Sequence, residues 1–546
     1  LDFSPPYPGA IMQGLMMNRP LLISSLIEHG ATAYHDREIV SRTVEGPIHR
    51  YTYADLRRRS KQLAGALTTL GVKAGDRIAT LAWNGYRHVE LYFGVSGMEA
   101  ICHTLNPRLH PSQLSYIVNH AEDRFLFVDL TFVPLVEAIA EHLKTLEGVV
   151  VMTDADHMPE SGLANLMCYE DLLSAQEDDF VWPEFDENTA SSLCYTSGTT
   201  GHPKGVLYSH RSSVLHGYCV SLSGVLALSE SEVFLPVVPM FHVNAWGTPY
   251  ATPMTGTKLV MPGPALDGAS LTELMREEGV TSTAGVPTVW AGLLDYWREN
   301  DTSVPSLKLL IIGGAAVPRS MVEAFDKEFG VEVRQGWGMT ETSPIGTVNV
   351  LKPEQRAAPA PERYDIQIRQ GRAVYGVEMK IVDAEGDTLP CDGKAFGELK
   401  VRGPWVSRGY FRDEKSEVVD SEGWFATGDV ATIDSDGYMH ITDRMKDLIK
   451  SGGEWISSIE LEHLAMSHPD VMQAAVIGIP DEKWSERPLL IVKPNPGADP
   501  SKEELLGFFK GKVADWWIPD DVVMVEELPI GGTGKVQKLE LRKTYG

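Results

Sequence analysis

Short apolar runs recur along this chain, separated by amphipathic stretches, and that alternation leaves few architectures open. Tyr53 to Leu70 reads as a helix with Leu56, Leu63, Leu67 and Leu70 on one face and Gly71 after its end. A shorter amphipathic helix carrying Leu21, Leu22, Ile23, Leu26 and Ile27 precedes it, within 18–30. The strand Arg77-Ile-Ala-Thr-Leu-Ala-Trp83 follows, then a helix from Val89 to Gly97 and a second apolar run, Phe125 to Asp129. Further along, Phe234 to His242 is strand-like, and Lys258 to Met261 and Ser282 to Gly285 are short strands flanking a helix from Leu271 to Gly279. Leu307-Lys-Leu-Leu-Ile-Ile-Gly-Gly314 is a buried strand ending in a glycine turn, where a flat ligand can meet the backbone. Together these predict an α/β fold, a large N-terminal domain of helix-flanked sheets over 1–442. From about Gly376 short strands with many turns predict a small β unit over about 376–442 (Met379 to Asp383, Gly397 to Arg402, Tyr438 to Ile441). Beyond a charged junction, Asp443-Arg-Met-Lys-Asp447, read as a hinge, the segment 448–546 predicts a small α+β domain.

Between two of these elements lies Tyr195-Thr-Ser-Gly-Thr-Thr-Gly-His-Pro-Lys204-Gly205. Hydroxyls, glycines and a lysine in one short run offer rotatable donors, open backbone N–H groups and a positive charge, which suits a polyphosphate. A polar surface loop is the plain alternative. It is not a Walker A motif, because Pro203 precedes Lys204 and Gly205 follows it; Gly534-Lys535 fails the same test, with Val536 in the Ser/Thr position.

Charge narrows the partners. The 546 residues include 75 acidic and 48 basic side chains, a formal charge of -27, so long-range attraction to nucleic acid or to an anionic membrane is not expected and anionic ligands must be captured locally. Cys102, Cys168, Cys194, Cys219 and Cys391 are scattered, odd in number and without a CxxC pair. They read as core thiols in a reducing compartment rather than as a disulfide framework or a zinc site. No apolar stretch has the length of a membrane span, and the proline-rich start does not resemble a signal peptide, so a cytoplasmic location is expected.

Several separated motifs then point one way. Tyr195 to Gly205, Gly336-Trp-Gly-Met-Thr-Glu341, Thr427-Gly-Asp429, Asp443-Arg444, Ser451-Gly-Gly-Glu454 and Gly534-Lys535 occur in the order found in the adenylate-forming superfamily. The chain resembles that superfamily over nearly its whole length, and acyl-CoA synthetases within it. The resemblance implies ATP, Mg²⁺ and coenzyme A as cofactors and co-substrates, a carboxylic acid as substrate, a mobile C-terminal domain, and a homodimer. It assigns Thr196, Ser197, Gly198, Thr199, Thr200 and Lys204 to the β- and γ-phosphates, Thr340 to the α-phosphate and Glu341 to Mg²⁺. For Glu341 alone an N-cap or surface role is the bland alternative. Asp429 suits the ribose hydroxyls and Arg444 a ribose or phosphate contact, while Gly314-Ala315-Ala316, Gly336, Trp337 and Gly338 form a slot for adenine. Lys535 is implied as the adenylation catalyst, with one of many exposed lysines as its plain reading. Lys446 is the implied pivot, and Lys450, Gly452, Gly453 and Trp455 are implied to border a pantetheine channel after rotation.

The acid itself is less clearly written. His242 stands where peptide-synthetase domains carry an Asp for the substrate ammonium, so an amino acid loses its counter-ion. A gate on the acyl pocket and a buried, satisfied histidine are equal readings of it. By position, Val243, Trp246, Val286, Pro287, Gly336 and Met339 line an apolar pocket that bulky Trp246 shortens. Leu81 to His88, Cys102 to Arg108 and Val118 to Asp123 resemble medium-chain acyl-CoA synthetases and, more closely, 3-methylmercaptopropionate:CoA ligases. The competing readings are an adenylate-forming enzyme with another acid or acceptor (aryl acid, luciferase-like) and a catalytically silent nucleotide-binding protein. The silent protein would be expected to lack one of Lys204, Glu341, Asp429 and Lys535, all present here.

Overall fold

Two large sheets take up most of the apolar runs, one of nine strands and one of seven. They belong to a computed structural model that describes residues 14–196, 203–413, 418–451, 454–481, 483–531 and 536–546, with Glu454 and Trp455 described by their backbone alone. In the seven-stranded sheet Arg77–Leu81 lies between Ile101–Thr104 and Asp123–Val128, all parallel. Ile101–Thr104 pairs in turn with Ala190–Tyr195, Thr104 opposite Cys194, and Ala190–Tyr195 turns back antiparallel onto Gly205–Ser209. In the nine-stranded sheet Leu309–Ile312 runs parallel between Ser282–Gly285 and Glu332–Gly338. Helices cover such strands on both faces, which is why they read as unbroken apolar runs rather than alternating ones. The helix Tyr53–Thr69 starts at a reciprocal cap between Thr52 and Asp55 and packs on the helix Tyr86–Gly97.

One apolar run does not extend as the sequence predicts. The strand at Phe234 spans only Val233–Pro236, because Pro236 and Pro239 have no N–H to give a ladder. After His242 the backbone turns left-handed through Val243, Asn244, Ala245 and Trp246, with φ of 47°, 52°, 48° and 58°. Left-handed backbone costs roughly 1–2 kcal/mol per residue with a side chain, so it persists only where its surroundings hold it. Asn244 supplies the hold: its Nδ2 donates to Ser192 Oγ at 3.0 Å, and its Oδ1 accepts from the Cys194 thiol at 3.4 Å.

The small β unit is a four-stranded antiparallel sheet of Glu378–Val382, Phe396–Arg402, Phe425–Ile433 and Met439–Arg444. Its third strand, which carries Thr427 to Asp429, is hidden in the sequence by the left-handed Gly428. The last strand takes in Asp443 and Arg444, the first two residues of the junction read as a hinge. A five-stranded C-terminal sheet follows, led by the long pair Val471–Asp481 and Ser485–Pro494. A closing helix, Lys538–Tyr545, packs on the first of these; it is short and mostly polar, and periodicity does not announce it. Cys102, Cys168, Cys194 and Cys219 are buried as expected, but Cys391 is exposed on a turn of the small β unit and is not a core thiol. Among the described residues no helix is long and apolar enough to cross a membrane.

Asp129 ends the strand Asp123–Val128 and accepts the Trp83 backbone N–H at 2.7 Å. Burial lifts its pKa from 3.8 to about 7. The folded chain therefore holds this proton more tightly than the unfolded chain, so the contribution to stability is full below about pH 4 and is lost as pH rises towards 7. Asp129→Asn keeps an acceptor for Trp83 and removes the titration. Thermal unfolding should show the variant more stable than the parent at about pH 8 and equal to it at about pH 4.

Candidate active site

A cavity of about 1540 Å³ opens where strand ends of both large sheets, the small β unit and the C-terminal domain meet. Ligand sites in open α/β sheets form at such strand ends. The two stalks of the glycine loop stand on its wall. Thr196 N–H donates to the Lys204 carbonyl at 2.9 Å, Lys204 N–H donates to Thr196 Oγ1 at 3.3 Å, and both residues line the cavity. Ser197, Gly198, Thr199 and Thr200 lie outside the described residues.

Across the cavity Glu341 is held on three sides. Tyr410 O–H donates to its Oε1 at 2.7 Å, Ser407 N–H donates to its carbonyl at 2.7 Å, and Tyr208 O–H donates to the neighbouring Thr340 carbonyl at 2.7 Å. Burial, reinforced by the Glu341 carboxylate, pushes the Tyr410 phenol well above its ordinary pKa, so it stays a donor. The Tyr410 ring also carries the Lys204 ammonium, Nζ lying 4.6 Å from its centroid. One side chain thus links the loop lysine to the acidic residue. Tyr410, Ser407 and Tyr208 are absent from the sequence reading, since no spacing ties them to Glu341 until the chain folds. Glu341 Oε2 accepts no hydrogen bond among the described residues, and a carboxylate oxygen left open on a cavity wall is a hard donor that fits Mg²⁺.

At the strand ends of the nine-stranded sheet Gly313, Gly314, Gly336, Trp337 and Gly338 line the cavity, while Ala315 and Ala316, also expected in the adenine slot, stand outside its lining. Trp337 Nε1 donates to Asp429 Oδ2 at 2.9 Å and Arg444 Nε lies 2.7 Å from Asp429 Oδ1. Asp429 is buried behind these two side chains, so Arg444 rather than Asp429 faces the cavity. At the apolar end His242, Val243, Trp246, Val286 and Met339 come together; Pro287 does not reach the lining. The Trp246 ring lies on Gly313, where a Cβ would stand 2.7 Å from Cη2.

The C-terminal domain turns Ile530, Gly531, Val536, Gln537 and Lys538 towards the cavity, and Lys446 also lines it. Burial lowers the Lys446 pKa. Lys535 falls between Gly531 and Val536 but lies outside the described residues, as do Gly452, Gly453 and the side chain of Trp455. Lys450 is exposed and away from the cavity. In this orientation Ile530, Gly531 and Val536 to Lys538 face the site, and Lys450 does not.

A cavity walled by the stalks of a glycine-rich loop, a carboxylate able to take a hard cation and an apolar end suits the joining of a nucleotide to a small apolar acid. The sequence pattern of the AMP-binding enzyme family matches residues 27–411, and that of the AMP-binding enzyme C-terminal domain matches 460–535, so the chain belongs to this family of adenylate-forming enzymes. It is 51% identical to a 3-methylmercaptopropionyl-CoA ligase of Ruegeria lacuscaerulensis, over 98% of this chain and 99% of that one. Identity is 49% to a medium-chain-fatty-acid–CoA ligase of Ectopseudomonas oleovorans, over 98% of each. Among solved structures, the anthranilate CoA ligase AuaEII in complex with anthranoyl-AMP superposes with a TM-score of 0.84 at 27% identity, covering 96% of this chain and 98% of that one.

Gly338 is the tightest point of the site. A Cβ there would stand 1.8 Å from the Pro344 carbonyl oxygen, a backbone atom that cannot swing aside. Gly338→Ala should force the turn before Thr340 and Glu341 to shift, costing about 1–3 kcal/mol or more. Calorimetry should find ATP binding weakened together with a lowered melting temperature.

Proposed function

We propose that this chain, an ATP-dependent acid–CoA ligase, takes a short or medium-chain organic acid, with 3-methylmercaptopropionate first among the candidates. The observation that carries the size limit is Trp246, seated on Gly313 at the apolar end of the cavity. The names of the relatives at 51% and 49% identity support the choice of acid.

A carboxylate is a poor acyl donor because its carbonyl carbon is electron-rich and oxide cannot leave. The carboxylate oxygen instead attacks the α-phosphorus of ATP, and the bond from that phosphorus to the β-phosphate bridging oxygen breaks, giving acyl-AMP and pyrophosphate. A CoA thiolate then attacks the acyl carbon, AMP leaves with the electron pair, and a thioester remains. Both partners in the first step are anions, so the protein's work is to align them and to offset charge. In this reading Thr196, Ser197, Gly198, Thr199, Thr200 and Lys204 hold the β- and γ-phosphates, and Thr340 donates to the α-phosphate. Glu341 holds Mg²⁺, which when bound neutralises part of the phosphate charge. Tyr410 keeps Glu341 and Lys204 in register. Arg444, which faces the cavity, and Asp429 behind it serve the ribose, Asp429 accepting from the hydroxyls once Arg444 moves off its Oδ1, and the backbone at Gly314 with Trp337 and Gly336 serves adenine. His242, Val243, Val286 and Met339 enclose the acid.

Lys535 bridges the carboxylate and the α-phosphate in the first step. For the second, the small domain pivots near Lys446 and brings Lys450, Gly452, Gly453 and Trp455 to the pantetheine arm. The exposed position of Lys450 in the present orientation supports such an exchange. This reading also places the enzyme in the cytoplasm and as a homodimer, the latter open to light scattering of the purified protein.

Two experiments test these roles. Lys535→Ala should abolish acid-dependent exchange of pyrophosphate into ATP while thioester formation from supplied acyl-AMP continues; equal loss of both removes Lys535 from the first step. Trp246→Ala, offered an equimolar panel of C2 to C12, aryl and methylmercaptopropionic acids with ATP, Mg²⁺ and CoA, should move the thioester products towards longer chains, by about tenfold or more in relative kcat/KM. Mass spectrometry of the parent's products identifies the preferred acid.

A further inference from the structure

Asp443 is fully buried, and none of the roles above uses it. It lies on the strand Met439–Arg444, opposite Val430, so its backbone belongs to the small β unit and stays with the large domain when the chain pivots near Lys446. Its side chain reaches the other way, to the C-terminal domain. Oδ2 accepts the Ser458 backbone N–H at 2.5 Å, and Oδ1 accepts the N–H of Arg444 at 2.7 Å. Ser458 is the first residue of the helix Ser458–Met466. The carboxylate therefore meets an N–H that the helix cannot satisfy by itself, at the positive end of the helix dipole. Beside it the Ser457 hydroxyl donates to the Thr442 carbonyl. Both bonds join a residue before the pivot to one after it.

The same serine leads on to the closing helix. Lys538, the first residue of Lys538–Tyr545, donates from Nζ to Ser458 Oγ at 2.6 Å and lies 2.6 Å from Glu462 Oε1. Burial acts to lower its pKa, but Glu462, Asp443 and Asp447 together hold it above the ordinary value, so it stays an ammonium. Burial raises the Asp443 pKa, and Lys538 works against that rise. Glu462 is fixed in turn by the Val476 N–H, 2.8 Å from its Oε1. One turn along the closing helix, Arg542 Nη2 donates to Asp447 Oδ1 at 2.8 Å. Lys538 also lines the cavity, as do Val536 and Gln537 before it. The segment that the small domain turns to the site is thus tied, through Lys538 and Ser458, to a carboxylate on the far side of the pivot. Glu462 travels with Lys538; Asp443 does not. A rotation about Lys446 large enough to bring Lys450 to the cavity breaks both crossing bonds and parts the ammonium from Asp443. The present orientation is the one in which this carboxylate, the helix N-terminus and the ammonium are all satisfied.

We propose that Asp443 is a positioning residue for the first half-reaction, a latch that closes on Ser458 and Lys538 while Val536 to Lys538 face the site and opens when the small domain turns. It touches neither substrate nor reacting atoms. Which half-reaction this orientation serves rests on the ligase reading; the latch itself does not.

The full-length parent, Asp443→Asn and Asp443→Ala are compared in three measurements. Acid-dependent exchange of pyrophosphate into ATP should fall by about tenfold in Asp443→Ala, which loses a charge-assisted bond, and by less in Asp443→Asn, which keeps an acceptor for the Ser458 N–H. Thioester formation from supplied acyl-AMP and CoA should hold or rise in both. Orientation is read directly from nitroxide labels on Cys391, exposed on the small β unit while the other cysteines are buried, and on Glu503→Cys, an exposed position of the C-terminal domain. Pulsed electron resonance should find a second label distance more populated in Asp443→Ala than in the parent. Equal slowing of both half-reactions overturns the proposal, and so does a distance distribution unchanged from the parent's. Should Asp443→Ala not fold, Asp443→Asn must show the same shift to a lesser degree. Failure of the ligase reading looks different: the parent forms no thioester with any acid, yet the label distances still change in Asp443→Ala.

Discussion

Negative charge meeting negative charge is the constraint behind this site. The chain carries a formal charge of -27, and its reaction brings a carboxylate to a triphosphate. No general attraction helps, so each positive group must be placed and kept available. Most basic side chains around the cavity are tied to carboxylates of the protein itself, which fixes their position at the expense of their charge. Lys204 is stationed on an aromatic ring instead, an arrangement that holds an ammonium in place without neutralising it. Its support, Tyr410, spends its hydroxyl on Glu341.

Strand ends gather these groups. Thr196 follows one strand of the seven-stranded sheet, and Glu341 follows the last strand of the parallel run in the other sheet. The small β unit leans in from the side, Phe411 N–H donating to the Gly205 carbonyl at 2.8 Å and Ser407 N–H to that of Glu341 at 2.7 Å. A loop of one unit thereby staples the two sheets together at the mouth of the cavity.

Much of this was legible in the chain. Strands buried on both faces betray themselves as apolar runs, and Lys258–Met261 and Ser282–Gly285 have the predicted ends. Motif order identified the family. What could not be read were relations made only by tertiary contact: the Tyr410 link and the seclusion of Asp429 behind Trp337 and Arg444. The strand read over Phe234 to His242 stops at Pro236, and the left-handed turn from Val243 to Trp246 that follows it was not legible, because apolar composition says a segment is buried and not which way its backbone turns. Gly428 concealed a strand for the opposite reason, a single residue interrupting an otherwise regular ladder.

That left-handed stretch has a consequence for how such an enzyme changes diet. Asn244 fastens it to Ser192 and Cys194, which lie on the strand that delivers the glycine loop. Remodelling the backbone at the apolar end of the cavity is therefore felt by the strand that leads into the glycine loop, and a change of acid is made more readily by exchanging side chains that project from a rigid frame. The side chains that project from it can then differ in bulk without disturbing the frame, because the buried amide of Asn244 holds the backbone beneath them.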